Sequence, residues 1–239
     1  MSTSQDSAMV INPFPSDSQL VALMPWLESG DRISRPEFER RYQAMPQLKK
    51  AELIEGVVYV SSPVRSSSHA RPHAAIMGWL FHYWVATPGV VVNDNPTIRL
   101  DADNEPQPDA CLRIETGGQS SLSADDYIEG APELVVEVAA SSVANDVHDK
   151  KHVYRRNGVQ EYLVWCVLDQ TIDWFGLQQE IYVPLQPDGA GVIHSQVFPG
   201  LRLDVASLLA GNLSQVIIVL QQGLNTPEHD QFVHQLQQV

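Results

Sequence analysis

A glutamate set inside an aliphatic run most constrains this chain: Pro132-Glu133-Leu134-Val135-Val136-Glu137-Val138. Leu134 to Val138 is β-branched or aliphatic except at Glu137, so it reads as a buried strand. A carboxylate there is costly to ionise unless a cation, a metal or several donors meet it. Asp109 follows Pro108 and leads into Ala110-Cys111-Leu112, a second apolar segment entered through an acid. Two acids on adjacent strands, with a lysine following on a helix, form the skeleton of a metal-dependent phosphodiesterase site.

The rest of the chain divides around that strand. Residues 1–17 are Ser-rich and polar and read as a disordered tail. A single domain is expected over 18–212, with a C-terminal helix and polar tail over 213–239. Ser34-Arg35-Pro36-Glu37 is a capping-box pattern opening a first helix. Leu53 to Ser61 reads as a strand that Glu55-Gly56 breaks into a hairpin. A second helix opens near Ser68, carries Ile76, Met77, Leu80, Phe81, Trp84 and Val85 on one broad face, and ends at Pro88-Gly89. Val90–Val92, Thr97–Leu100 and Asp109–Ile114 are candidate strands, and a loop runs from Gly117-Gly118 to about Pro132. Beyond the buried strand, Ser141-Ser142 offers an N-cap for a helix that Gly158 stops. Tyr162–Leu168, Thr171–Leu177, Ile181–Leu185 and Val192–Val197 read as further strands. Val205–Leu220 reads as one helix, with a frayed chain after it. Strands before and after single helices, with hairpins among them, predict an α/β (mixed α+β) domain.

Helical spacing sharpens the site. Val143, Val147, Lys150 and Tyr154 are spaced 4, 3 and 4, so they share one stripe with Lys150 near its middle. An inward lysine wants a carboxylate, and Glu137 on the preceding strand is the nearest in sequence. A lysine that snorkels along its aliphatic stem fits the same pattern. His148 and His152 imitate a two-histidine zinc helix, but they fall about 140° and 180° from Val143, on the solvent side. His69 and His73 lie on the apolar side of the second helix's start, where one could reach a phosphate or metal. Glu52 and Glu55 flank the first strand, and alternation does not decide which faces inward. No P-loop, nucleophile elbow or dinucleotide fingerprint is present.

Charge narrows the functional classes. The 239-residue chain carries 15 Lys+Arg against 29 Asp+Glu, a formal charge of −14. That argues against nonspecific attraction to nucleic acid or anionic membrane. The charge is uneven: eight cations fall between Arg32 and Arg71, while residues 93–149 hold thirteen acids against two arginines. Two cysteines in apolar runs make no disulfide framework and favour a reducing compartment. With no signal-peptide pattern and no spanning apolar stretch, a cytoplasmic location without membrane contact is expected.

Read together, several segments resemble the Uma-type family of "putative restriction endonucleases" within the PD-(D/E)XK nuclease superfamily. They are Ala51-Glu52-Leu53-Ile54-Glu55-Gly56, His69, Gln107-Pro108-Asp109 and Gly130 to Val138. Asp146, Lys150, Tyr154, Gly158-Val159-Gln160-Glu161-Tyr162 and Pro199 to Asp204 complete the order. The resemblance implies a restriction-endonuclease-like core: a mixed central sheet flanked by helices, with additional N-terminal and C-terminal hairpin strands. It implies Asp109 and Glu137 as ligands of Mg²⁺ (or Mn²⁺), with Glu52 and Lys150 completing the catalytic set and His69 on a substrate phosphate. DNA is the implied substrate; a homodimer is expected beside it, since two chains could line a groove with Arg35, Arg40, Arg41, Lys49, Lys50, Arg155 and Arg156. The superfamily lysine lies two residues after the second acid, where this chain has Ala139, so the resemblance moves it to Lys150. A protein that keeps the fold and binds or regulates without cutting is the competing expectation, motivated by the −14 charge.

Overall fold

A computed structural model describes residues 25–61, 66–140 and 145–238, with backbone alone at 145–147. The expected tail, the Ser141-Ser142 cap, and the side chains of Val143, Asp146 and Val147 lie outside the described residues.

The first helix is α1 (Arg35–Gln43), followed by a hairpin of β1 (Ala51–Ile54) and β2 (Val57–Val60). Glu55 and Gly56 both take positive φ, as a two-residue hairpin turn requires. A π-helical turn at Ser66–Ala70 leads into α2 (Arg71–Ala86). Next come β3 (Val90–Asp94), β4 (Ile98–Arg99), β5 (Ala110–Ile114), β6 (Ser121–Leu122), β7 (Ile128–Glu129) and β8 (Leu134–Ala139). Helix α3 (Asn145–Arg156) crosses to β9 (Glu161–Cys166), and β10 (Thr171–Gln178) and β11 (Ile181–Pro184) continue as an antiparallel meander. A second hairpin, β12 (Val192–His194) with β13 (Arg202–Asp204), precedes α4 (Val205–Leu209), α5 (Leu213–Leu224) and α6 (Pro227–Leu236).

Six strands form the central sheet in the order β11-β10-β9-β8-β5-β3. Only the β8–β9 pair in it is parallel, which is the pair that needs the α3 crossover. The sheet is therefore mixed and flanked by helices. Alternation along β8 explains its uninterrupted apolar sequence. Leu134, Val136 and Val138 enter a core with Ile76, Trp79, Leu80 and Tyr83 of α2 and Val216 and Leu220 of α5. Val135 faces the other way, into a core with Tyr154 of α3, Cys111, Tyr162 and Val164. Both faces are covered, so both parities are aliphatic. Glu137 shares the α3 face with Val135.

Four expectations are corrected. The segment from Gly117-Gly118 to Pro132 is not all loop, because β6 and β7 pair within it and β7 runs parallel to β4. Val205–Leu220 is not one helix: Gly211 takes φ +73°, and Asn212 caps a fresh start by accepting from the Gln215 N–H. The chain after Leu220 is not frayed either. Thr226 accepts from the His229 N–H and Pro227 occupies the first turn, so Thr-Pro-Glu was a readable helix start. Finally, Val192–Val197 pairs only to His194, because Ser195 to Phe198 turn around the buried Glu161 carboxylate. Both cysteines are free and buried. Among the described residues no helix is long and apolar enough to cross a membrane.

Candidate functional site

Sheet register assembles the first two acids. Antiparallel pairing of Ala110 with Val136 places Asp109, one residue before β5, opposite Glu137 on β8. A hydrogen bond fixes the pair: Asp109 Oδ2 accepts the Val138 N–H at 2.7 Å. The first hairpin adds the third acid. Leu53 and Glu105 exchange backbone hydrogen bonds, which docks β1 against the segment leading to Asp109. Glu52 Oε1 then accepts the Gln107 N–H at 2.7 Å. All three acids are buried.

Lys150 comes from α3 and settles the choice that spacing left open. It does not snorkel; only 5% of it is exposed. Its Nζ lies 2.8 Å from Glu52 Oε1 and 3.1 Å from Glu137 Oε1. Tyr154, one turn on, donates its hydroxyl to the same Glu137 Oε1 at 2.7 Å. His69 Nε2 is 3.1 Å from Asp109 Oδ1, and Lys50 Nζ stands 3.8 Å from that oxygen. His73 Nε2 is shared between the Asp109 carbonyl and Asp94 Oδ1.

Electrostatics follow from this crowding. Burial pushes the Glu137 carboxyl up to about 7; Lys150 opposes the shift, while Asp109 and Glu52 add to it. Burial also works against Asp109, but the bond from His69, the nearby Lys50 and the Val138 N–H hold its carboxyl below the usual range. The bond to Asp109 raises the His69 imidazole. For Lys150 burial favours the neutral amine, yet two carboxylates in contact keep it firmly protonated.

Every residue expected at the site from sequence therefore lies in one cluster: Glu52, Asp109, Glu137, Lys150 and His69. Glu55 is at the hairpin turn, paired with Arg156. His148 and His152 are exposed. Sequence reading missed the proximity of Lys50 and the hydroxyl of Tyr154. The latter had a signal, since Tyr154 is four residues from Lys150 on the inward stripe. Lys50 had none, because it reaches the site only through the docking of β1.

A metal fits this donor set in a restricted way. No three His, Cys, Asp or Glu side chains among the described residues are gathered as a ligand set. Two carboxylates are what Mg²⁺ takes when water and substrate phosphate complete its shell. Lys150 and Tyr154 both bond Glu137 at Oε1, and Glu52, Asp109 and Glu137 bring together three buried carboxylates whose charge a hard cation would offset.

Fold and site together define a mixed α/β domain with a carboxylate–lysine centre. The family described as "Uma2: Putative restriction endonuclease" matches residues 35–206, most of the chain, and the chain belongs to that family. The crystal structure of a "putative nuclease belonging to DUF820" from Anabaena variabilis is similar, with a TM-score of 0.54 at 14% identity. The match covers 72% of this chain and 96% of that one, and shows a shared fold. No curated protein matches the chain.

Proposed function

We propose that this chain is a metal-dependent endonuclease that hydrolyses phosphodiester bonds in DNA, with Asp109 and Glu137 holding Mg²⁺ or Mn²⁺. The observation that carries the reading is the buried lysine bridging Glu52 and Glu137 beside an Asp109 locked to Val138. When bound, the ion would polarise a phosphoryl oxygen and lower the pKa of a water. Lys150 and Tyr154 hold the Glu137 carboxylate in place through Oε1. Lys150 commits two of its three donors to carboxylates and keeps one for a water or for charge developing on the phosphate. Glu52 fixes the ammonium through a carboxylate that is itself anchored to the Gln107 N–H. His69 stands at the rim, against Asp109, within reach of an incoming phosphate.

The test pairs calorimetric titration of Mg²⁺ and Mn²⁺ with cleavage of a panel of labelled substrates. Asp109→Asn keeps an acceptor for the Val138 N–H but removes the charge. It is expected to abolish measurable metal binding and to cut turnover roughly a hundredfold or more. Unchanged metal affinity in Asp109→Asn would sink the ligand assignment. The −14 charge leaves few phosphates to be neutralised, so ends, flaps and single strands should be cut better than closed plasmid. Metal binding without cleavage of any substrate would favour the reading of a non-cutting regulatory protein, which the same charge supports.

The reading extends to a homodimer joined through α2. Phe81, Trp84 and Val85 stand exposed on that helix, with Gly78 open beside them. No Asp, Glu, Lys or Arg occurs from Pro72 to Asn93, so this is where two acidic chains meet with least repulsion. Sedimentation should show a dimer that Phe81→Glu splits. A wild-type protein monomeric at all concentrations would remove this element.

A further inference from the structure

The site holds two lysines, and their surroundings differ in a way that assigns them different work. Lys150 is enclosed: its side chain is 6% exposed and holds two carboxylates at 2.8 and 3.1 Å. Lys50 is 26% exposed, and among the described residues its closest partners are Asn95 Oδ1 at 3.4 Å and Asp109 Oδ1 at 3.8 Å. An ammonium has three donors and gains most from contacts near 2.8 Å, so Lys50 is underused where it stands. Its backbone is fixed, because Lys50 enters β1 directly and its carbonyl accepts the Ser61 N–H. Only the flexible stem needs to move for the charge to reach a ligand at the mouth of the site. His69 stands against the same Asp109 oxygen, so an ammonium and an imidazole border the acids on the solvent side.

We propose that Lys50 contacts the phosphodiester of the bound DNA strand, forming with His69 a phosphate subsite at the rim, while Lys150 stays bound to its carboxylates. The assignment rests on the nuclease reading above and adds the group that draws substrate to an acidic site. The −14 chain needs such a group, since three buried acids otherwise repel the phosphate.

The experiment measures binding of a short fluorescent single-stranded oligonucleotide in Ca²⁺ across a range of salt, alongside Mn²⁺ affinity by calorimetry. Lys50→Met should weaken oligonucleotide binding roughly tenfold. It should also lower the slope of log affinity against log salt by about 0.7, the loss of one neutralised phosphate. Lys50→Arg should restore most of both, and Mn²⁺ affinity should be retained in either variant. A salt slope equal to wild type in Lys50→Met, with wild type binding well, would overturn the subsite and leave the nuclease reading standing. Loss of Mn²⁺ affinity alongside the weaker binding would instead make Lys50 a support for Asp109, against the proposal. Wild-type protein that neither binds nor cuts any oligonucleotide would overturn the subsite and the nuclease reading together.

Discussion

Lys150→Met is expected to destabilise the fold by about 3–5 kcal/mol and to eliminate turnover, whereas Lys151→Met leaves both nearly unchanged. Methionine keeps the aliphatic stem and removes the charge. Here the ammonium lies between Glu52 and Glu137, and its loss strands two buried acids beside Asp109. The melting temperature should fall by roughly 6–20 °C for a domain of this size. Acid should soften the loss. Burial already holds the Glu137 pKa near 7, above its unfolded value, and Lys150 acts to lower it. Without Lys150 the native state binds that proton more readily, so the variant gains stability as pH falls from 7 toward the ordinary carboxylate range. Lys151 sits one position round the helix with its Nζ 3.3 Å from the centroid of the Phe175 ring. That contact is worth about 0.5–1 kcal/mol at a partly exposed site. Calorimetry and a cleavage assay on both variants decide the matter. Equal losses from the two lysines would refute the division of labour along α3.

Glu161→Ala should produce a stability loss of similar size with no direct effect on the acidic cluster. Glu161 opens β9 and is fully buried. Its Oε1 accepts the Gln196 and Val197 N–H groups at 2.6 and 3.3 Å. Its Oε2 accepts the Ser195 hydroxyl at 2.8 Å and the Trp174 indole N–H at 3.2 Å. Alanine leaves the Trp174, Ser195 and Gln196 donors without this acceptor, while the Val197 N–H keeps the Ser195 Oγ at 3.2 Å, and each stranded buried donor costs about 1–3 kcal/mol. Allowing for water entering the gap, a total of about 3–5 kcal/mol is expected, together with exposure of the 195–198 turn to proteolysis. Glu161→Gln, which keeps one acceptor oxygen and the side-chain shape, should recover part of it. A melting temperature in Glu161→Ala within a degree of wild type would mean that this carboxylate does not hold the turn.

These two glutamates also mark the limit of what periodicity reveals. Glu137 stood out because aliphatic residues surround it on both sides in sequence. Glu161 stood between Gln160 and Tyr162 and had no such frame, although it is the more completely buried of the two. Its partners are 13 to 36 residues away, Trp174 on β10 and the others in a turn that no local pattern ties to β9. Lys50 was hidden for the same reason. It is one of eight cations in its region, and only the exchange of hydrogen bonds between Leu53 and Glu105 sets it beside Asp109. The broken C-terminal helix is a different case. Gly211-Asn212 and Thr226-Pro227 were visible stop and start signals that the apolar run Val216 to Leu220 outweighed.

The chain's own pattern determined the alternation of strands and helices, the hairpin at Glu55-Gly56, the buried strand around Glu137 and the inward stripe of α3. Each follows from side-chain spacing against a fixed backbone period, and that is local information. Tertiary structure alone decided that Glu52 shares Lys150 with Glu137, that Asp109 is locked to Val138, and that Lys50 reaches the rim. Those outcomes depend on strand register and on the docking of the first hairpin. Both are set by burial and hydrogen bonding between segments far apart in sequence, which no window along the chain contains.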